Sequence, residues 1–202
     1  MKKREAEILR AGVEVFAEKG YTAATIQDIA DRVGMLKGSL YYYIESKEDL
    51  LFRIGCETNA EAAAILHEVQ ALDVPPLEKL QIYLTRYLEW YLTHFQVVSL
   101  YLSEWVHLTG ERRAIGVKLR REFEDFIRDQ IRRAQADGAV AADLDPKLAC
   151  FAILGSVNSV STWWNPRRRS SIPAVAGSYA RMAVALAIGY AAVPTVEATG
   201  VA

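Results

Sequence analysis

The chain has 202 residues, about half of them hydrophobic, with 24 basic against 25 acidic side chains and two cysteines. That is enough apolar material for one domain, or a small one beside a larger one, and a net charge of −1 excludes a polybasic coat that holds nucleic acid by its overall field. Cys56 and Cys150 lie far apart, which argues against a disulfide framework or a cysteine zinc site and reads as two free thiols.

The first seven residues lack the apolar stretch of a signal peptide. Ile8, Ala11, Gly12, Val15 and Phe16 mark one face of a first helix that stops at Gly20. Thr25 is the expected cap of a second helix, with Asp28 three residues on completing a near capping box and Ile26, Ile29, Ala30 and Val33 forming its buried face. Gly34 permits a turn, and a third helix starts near Leu36. On it Leu36, Leu40, Tyr43 and Ile44 are expected to point inward, and Lys37, Gly38, Tyr41 and Tyr42 outward with Ser39 on their flank. Ser46 caps a fourth helix running from Lys47 to about Ala71. Pro76 opens a fifth that reaches about His94, and a sixth spans Gln96 to about Leu108. The seventh covers about Glu111 to Ala136, the eighth Pro146 to about Trp164, and the ninth Pro173 to Tyr190, ahead of a frayed tail from 194 to 202. No strand-like alternation and no repeat interrupts this pattern. The longest apolar run, Met182 to Val193, falls short of the roughly 20 residues of a membrane helix, so a soluble, cytoplasmic protein is expected.

Two short helices joined by a glycine turn, the second presenting a cation, hydroxyls, phenols and a glycine, read as a helix-turn-helix that docks on double-stranded DNA. Nine basic residues meet nine acidic ones in the first 55. Binding must therefore rest on local placement and on pairing two modules in a dimer.

The run from Ile8 to Leu51 resembles the DNA-binding module of the tetracycline-repressor (TetR) family of bacterial transcription regulators. The motifs that carry the resemblance are Phe16-Ala17-Glu18-Lys19-Gly20-Tyr21, Thr25, Lys37-Gly38-Ser39-Leu40-Tyr41-Tyr42 and Ser46-Lys47-Glu48-Asp49-Leu50. The resemblance implies an all-α fold of about nine helices, with a DNA-binding domain at 1–50 and a ligand-binding and dimerisation domain at 51–202. It also implies base or groove contact by Lys37, Gly38 and Tyr41, and phosphate contact by Thr25, Tyr42 and Lys47. Leu36 and Tyr43 depart from the family pattern, standing where many members have a small hydroxyl residue and a histidine.

Helices eight and nine are the expected dimer surface. Small residues (Ala152, Gly155, Ser156 and Ser159; Ala183, Ala187 and Gly189) allow close approach, and Phe151, Leu154, Met182, Leu186 and Tyr190 supply apolar area. An intramolecular core would satisfy the same residues. Nine of the twenty aromatics fall between Tyr83 and Phe126. Tyr83, Tyr87, Trp90 and Tyr91 form one stripe on the fifth helix, which together with Trp105 and Phe123 reads either as core or as the wall of a pocket. The paired arginines of the seventh helix read as a solvated face. Arg167, Arg168 and Arg169, with no neighbouring acid, either answer a helix dipole or receive a phosphate.

The stretch Asn158 to Pro166 is similar to a subset of the family that controls fatty-acid or steroid breakdown, which implies ligand contact by Asn158 and Trp163. The expected inducer is a lipophilic molecule with an anionic group, an acyl-coenzyme A thioester first. The competing reading is a lipophilic cation held by aromatic faces and by Glu89 or Glu104. A bundle that only dimerises or binds a protein partner is a third. An enzyme is not expected, and no catalytic residue, cofactor or metal is assigned: His67, His94 and His107 have no metal-ligand spacing, and neither a phosphate loop nor a nucleophile elbow is present.

Overall fold

The computed structural model of the chain describes residues 2–167 and 171–192. Those residues form ten α-helices and no strand: α1 (Lys2–Lys19), α2 (Ile26–Arg32), α3 (Lys37–Leu40), α4 (Lys47–Gln70), α5 (Pro76–Thr93), α6 (Phe95–Glu104), α7 (Gly110–Ala136), α8 (Pro146–Asn158), α9 (Val160–Trp163) and α10 (Ile172–Ile188). Single 3₁₀ turns follow α6 at Trp105–His107 and α10 at Gly189–Ala192. The continuous eighth helix expected from the sequence is broken into α8 and α9 at Ser159. There the hydroxyl donates to the Ser156 carbonyl at 2.6 Å and shares a hydrogen bond with Tyr179 of α10 at 2.8 Å, and this competition with the helical ladder interrupts the run. The frayed tail expected at 194–202 lies outside the described residues.

The chain divides into two compact units, one of residues 1–64 and 90–122, the other of residues 65–89 and 123–202.

In the first unit Thr25 caps α2 in a complete capping box, its hydroxyl accepting from the Asp28 amide while the Asp28 side chain accepts from the Thr25 amide. The other end of α2 closes in a Schellman motif: Gly34 sits at φ +66°, its amide donates to Asp31, and the Met35 amide donates to Ala30. Only a residue without Cβ adopts that backbone without strain, so the angle between α2 and α3 is set by local chemistry. Ile8, Val15 and Phe16 of α1 pack with Ile29 and Ala30 of α2, Leu40 and Ile44 of the α3 segment, and Leu50, Leu51 and Ile54 of α4. Leu100 of α6 and Leu108 complete the same core. α4 and α6 come very close at Gly55, where a Cβ would sit 2.2 Å from the Tyr101 ring.

In the second unit α8 and α10 pack side by side. The inner face of α10 is Ala176, Ala180, Ala183, Val184 and Ala187, and that of α8 includes Cys150, Ile153 and Val157, all buried. Ala183 and Ala187, expected at a dimer surface, thus belong to the contact within the chain. The outer faces are apolar too: Leu148, Phe151, Met182, Leu186, Ile188 and Tyr190 are exposed. Ala152 and Gly155 lie on the same side of α8 and are also exposed.

Candidate functional site

α3 is only four residues long, and its position comes from what surrounds it. Leu40 is fully buried, Tyr43 packs against the core, and the Leu36 carbonyl accepts from the Ser39 and Leu40 amides. This leaves Lys37, Gly38, Tyr41 and Tyr42 exposed as expected, with Ser39 half-buried beside them. Tyr42 projects furthest, at 89 % exposure. A Cβ on Gly38 would meet nothing within 4 Å, so no packing within the chain demands glycine there. The surface gathers one cation, phenols, hydroxyls and bare backbone, the groups that bond phosphates and enter a groove.

Leu36 sits otherwise than expected, and Lys47 and Thr25 already have partners within the chain. Leu36 does not point inward: it precedes the helix in extended backbone (φ −71°, ψ 141°) and is 80 % exposed. Lys47 directs its ammonium group at the main-chain carbonyls of Tyr21, Thr22 and Ala24 at 2.7, 3.1 and 2.9 Å, and over the Tyr21 ring. With its three protons engaged, Lys47 holds the α1–α2 connection in the chain without DNA. Thr25 is exposed, but its hydroxyl is occupied by Asp28 on both sides.

Asp28 is held low, to about 2 from an ordinary 3.8, first by the hydrogen bond from Lys19 and then by those from Thr25. A depressed carboxylate contributes stability that is fully present above its unfolded pKa and lost as pH falls through its folded one. Between about pH 4 and pH 2, therefore, the wild-type chain should lose stability that an Asp28→Asn variant lacks at neutral pH. Chemical denaturation at a series of pH values would show the two curves converging in acid; parallel curves would remove Asp28 from the account.

The N-terminus of α4 is tied to that of α7. Arg112 reaches Glu45 at 2.8 Å and the buried Asp49 at 3.2 Å, and the Thr109 amide and hydroxyl both donate to Glu48. Asp49 also pairs with Arg53, which reaches Glu5 of α1. Arg112 is thus no member of a solvated face. Arg133 is one, with Asp129 as its i,i+4 partner.

The expected ligand residues are split between the units. In the first, Tyr91 is fully buried with its hydroxyl 3.3 Å from Ser99, Trp90 donates to Glu61 at 2.7 Å, and Trp105 has the guanidinium groups of Arg113 and Arg120 over its ring at 5.3 and 5.6 Å. In the second, Tyr83 is buried edge-on to Phe126 and stacked on Tyr87, and burial pushes its phenol well above the usual range. Phe123 is half-buried. Trp163 is exposed and leans on Tyr179. Asn158 is half-buried, yet its Oδ1 is shielded from solvent without a hydrogen-bond partner, as is Trp164 Nε1. Sequence reasoning missed a groove of about 490 Å³ in this unit, lined by Leu77, Gln81, Ile82 and Thr85 of α5 and Val184 and Ile188 of α10, and containing none of the expected residues. These positions follow ordinary helical spacing, and with Glu78 and Arg86 on the same lining they make up no recognisable motif. Arg167 is exposed, and Arg168 and Arg169 lie outside the described residues. Among the described residues no group of three or more His, Cys, Asp or Glu side chains is placed to hold a metal ion, and no helix is long and apolar enough to cross a membrane.

Two family models match the chain: bacterial regulatory proteins of the tetR family over residues 8–54, and the tetracyclin repressor-like C-terminal domain over residues 73–187. The transcriptional repressor KstR2 of Rhodococcus jostii is 27% identical over 177 residues, which cover 87% of each protein. Its solved counterpart from Mycobacterium tuberculosis, a ketosteroid transcriptional regulator, aligns with a TM-score of 0.82 at 25% identity, covering 90% of this chain and 93% of that one. The structure of AibR in complex with isovaleryl coenzyme A and operator DNA aligns with a TM-score of 0.79 at 28% identity, covering 89% and 97%. With both models placed in order and a helix-turn-helix that leaves Lys37, Gly38, Tyr41 and Tyr42 exposed, the chain belongs to the TetR family of DNA-binding transcriptional regulators.

Proposed function

We propose that this protein is a cytoplasmic, homodimeric, ligand-responsive repressor, with a DNA-binding part at 1–50 and a ligand-binding and dimerisation part at 51–202. It holds a palindromic operator and leaves it when a lipophilic acyl-coenzyme A thioester binds. The observation that carries the reading is the outward set of α3 and the turn after it: Lys37, Gly38 and Tyr41 are assigned to the groove, and Ser39 and Tyr42, with Thr25 and Lys47 outside α3, to its phosphate flanks. The dimer is supported by the exposed apolar side chains on the outer sides of α8 and α10, since several large apolar side chains left exposed on packed helices mark an interaction surface. Phe151, Ala152, Gly155, Met182 and Leu186 are assigned to it; Ser159, bonded to Tyr179, sits at its margin.

For the inducer, AibR with its isovaleryl coenzyme A supports the thioester. The unpartnered Asn158 Oδ1 is an acceptor that a ligand hydroxyl or amide can satisfy, in the unit that also holds Tyr83, Tyr87, Phe123 and Trp163. The rival lipophilic cation would meet like charge at Trp105, where two guanidinium groups already lie over the ring.

An operator selected from random duplexes, then titrated with isovaleryl and longer acyl-coenzyme A esters, free coenzyme A and tetraphenylphosphonium, tests this. Release by the esters alone is expected. Release by the phosphonium alone would favour the cation, and release by neither would favour a bundle that only dimerises or binds a protein. Asn158→Leu should raise the ester concentration for half-release about tenfold, because a polar ligand group then loses its partner, while melting holds or rises as a buried orphan is removed.

A further inference from the structure

Leu36 has no part in the core and no part in the contact set above. It stands immediately before α3 with its side chain 80 % exposed, next in the chain to the exposed Lys37 and Gly38. Its carbonyl is pinned by the Ser39 and Leu40 amides and its side chain makes no capping bond, so the direction in which the side chain leaves the backbone is set by α3 itself. In helix-turn-helix docking the first residues of the recognition helix meet base edges. Leucine brings neither donor nor acceptor, so it cannot answer the nitrogen and oxygen atoms that distinguish most base edges. The one apolar group on those edges is the C5 methyl of thymine.

We propose that Leu36 is a specificity-determining residue that reads a thymine methyl at one position of each operator half-site. The proposal rests on the DNA-binding reading given above and adds a base preference to it. Covering one methyl group is worth about fourfold in affinity per half-site. Leu36 makes no phosphate contact, so its removal should leave the salt dependence of binding unchanged.

The test uses the full chain and the operator selected from random duplexes, with each thymine replaced in turn by deoxyuridine, which removes only the methyl. Wild-type protein should lose about fourfold at one symmetry-related position per half-site. Leu36→Ala should bind more weakly and be indifferent to that replacement, with the same salt slope and melting temperature, whereas Leu36→Met should keep the sensitivity. Uniform indifference of the wild type, or a Leu36→Ala variant with the wild-type pattern, overturns the assignment while leaving DNA binding intact. Failure to select any sequence overturns both, and the selection step alone reveals it.

Discussion

Gly38→Ala should weaken operator binding by about 1–3 kcal/mol per half-site, roughly 5- to 150-fold, while the free protein melts at the same or a higher temperature. The two effects have opposite signs because they arise from different surroundings. Within the chain the added methyl meets open space, and Gly38 is not among the glycines at positive φ, so alanine fits the helix and gains on propensity. Against DNA the same methyl stands where bare backbone is assigned to approach the groove. Lys37→Ala is the companion: as a groove contact it should cost about 1–3 kcal/mol per half-site and relax the base preference at the position it meets, where loss of a phosphate contact would weaken all sequences alike. Affinity measured by fluorescence anisotropy at several salt concentrations, beside thermal melts, checks both. Wild-type affinity in Gly38→Ala would move the docking surface off α3.

Gly155→Leu is expected to have the largest effect on assembly. A Cβ at Gly155 touches nothing within 4 Å in the described chain, so the monomer accommodates the leucine on the outer side of α8. If that side meets its own copy across a two-fold axis, the extra volume enters twice, at about 1–3 kcal/mol each, or on the order of 30- to 10⁴-fold in the dimer constant. Sedimentation should then give the 22.6 kDa chain in place of twice that mass, with an unchanged melting profile at low concentration and operator binding lost with the dimer. A variant that stays dimeric and binds as well as wild type would place the interface on another surface.

Much of the first unit is legible in the amino-acid sequence because short-range chemistry decides it. Thr25 with Asp28 and Gly34 with the Schellman bonds act over three to six residues, as does Pro146 at the start of α8 in the second unit, and each sits where the sequence puts it. Leu36 escapes such a reading because helical spacing does not apply to a residue whose backbone is still extended, and a side chain outside the helix does not follow its faces. Lys47 escapes it for another reason: its partners are three carbonyls more than twenty residues upstream, which no local pattern encodes. The break at Ser159 depends on Tyr179 of another helix. The small residues of the bundle divide between an inner face at Ala183 and Ala187 and an outer one at Ala152 and Gly155, a choice that tertiary packing makes.

The bonds from Glu45, Glu48 and Asp49 to Thr109 and Arg112 bear on how such proteins can be recombined. The helix-turn-helix borrows part of its hydrophobic floor from Leu100 and Leu108, and the start of α4 is satisfied by chain that follows it by more than sixty residues. A hybrid sensor made by grafting residues 1–50 onto a foreign bundle would strand three carboxylates and uncover that floor, whereas a graft that also carries 95–112 brings its own counter-charges. Where a cut is made in the gene matters less than whether both halves of this contact come from the same parent.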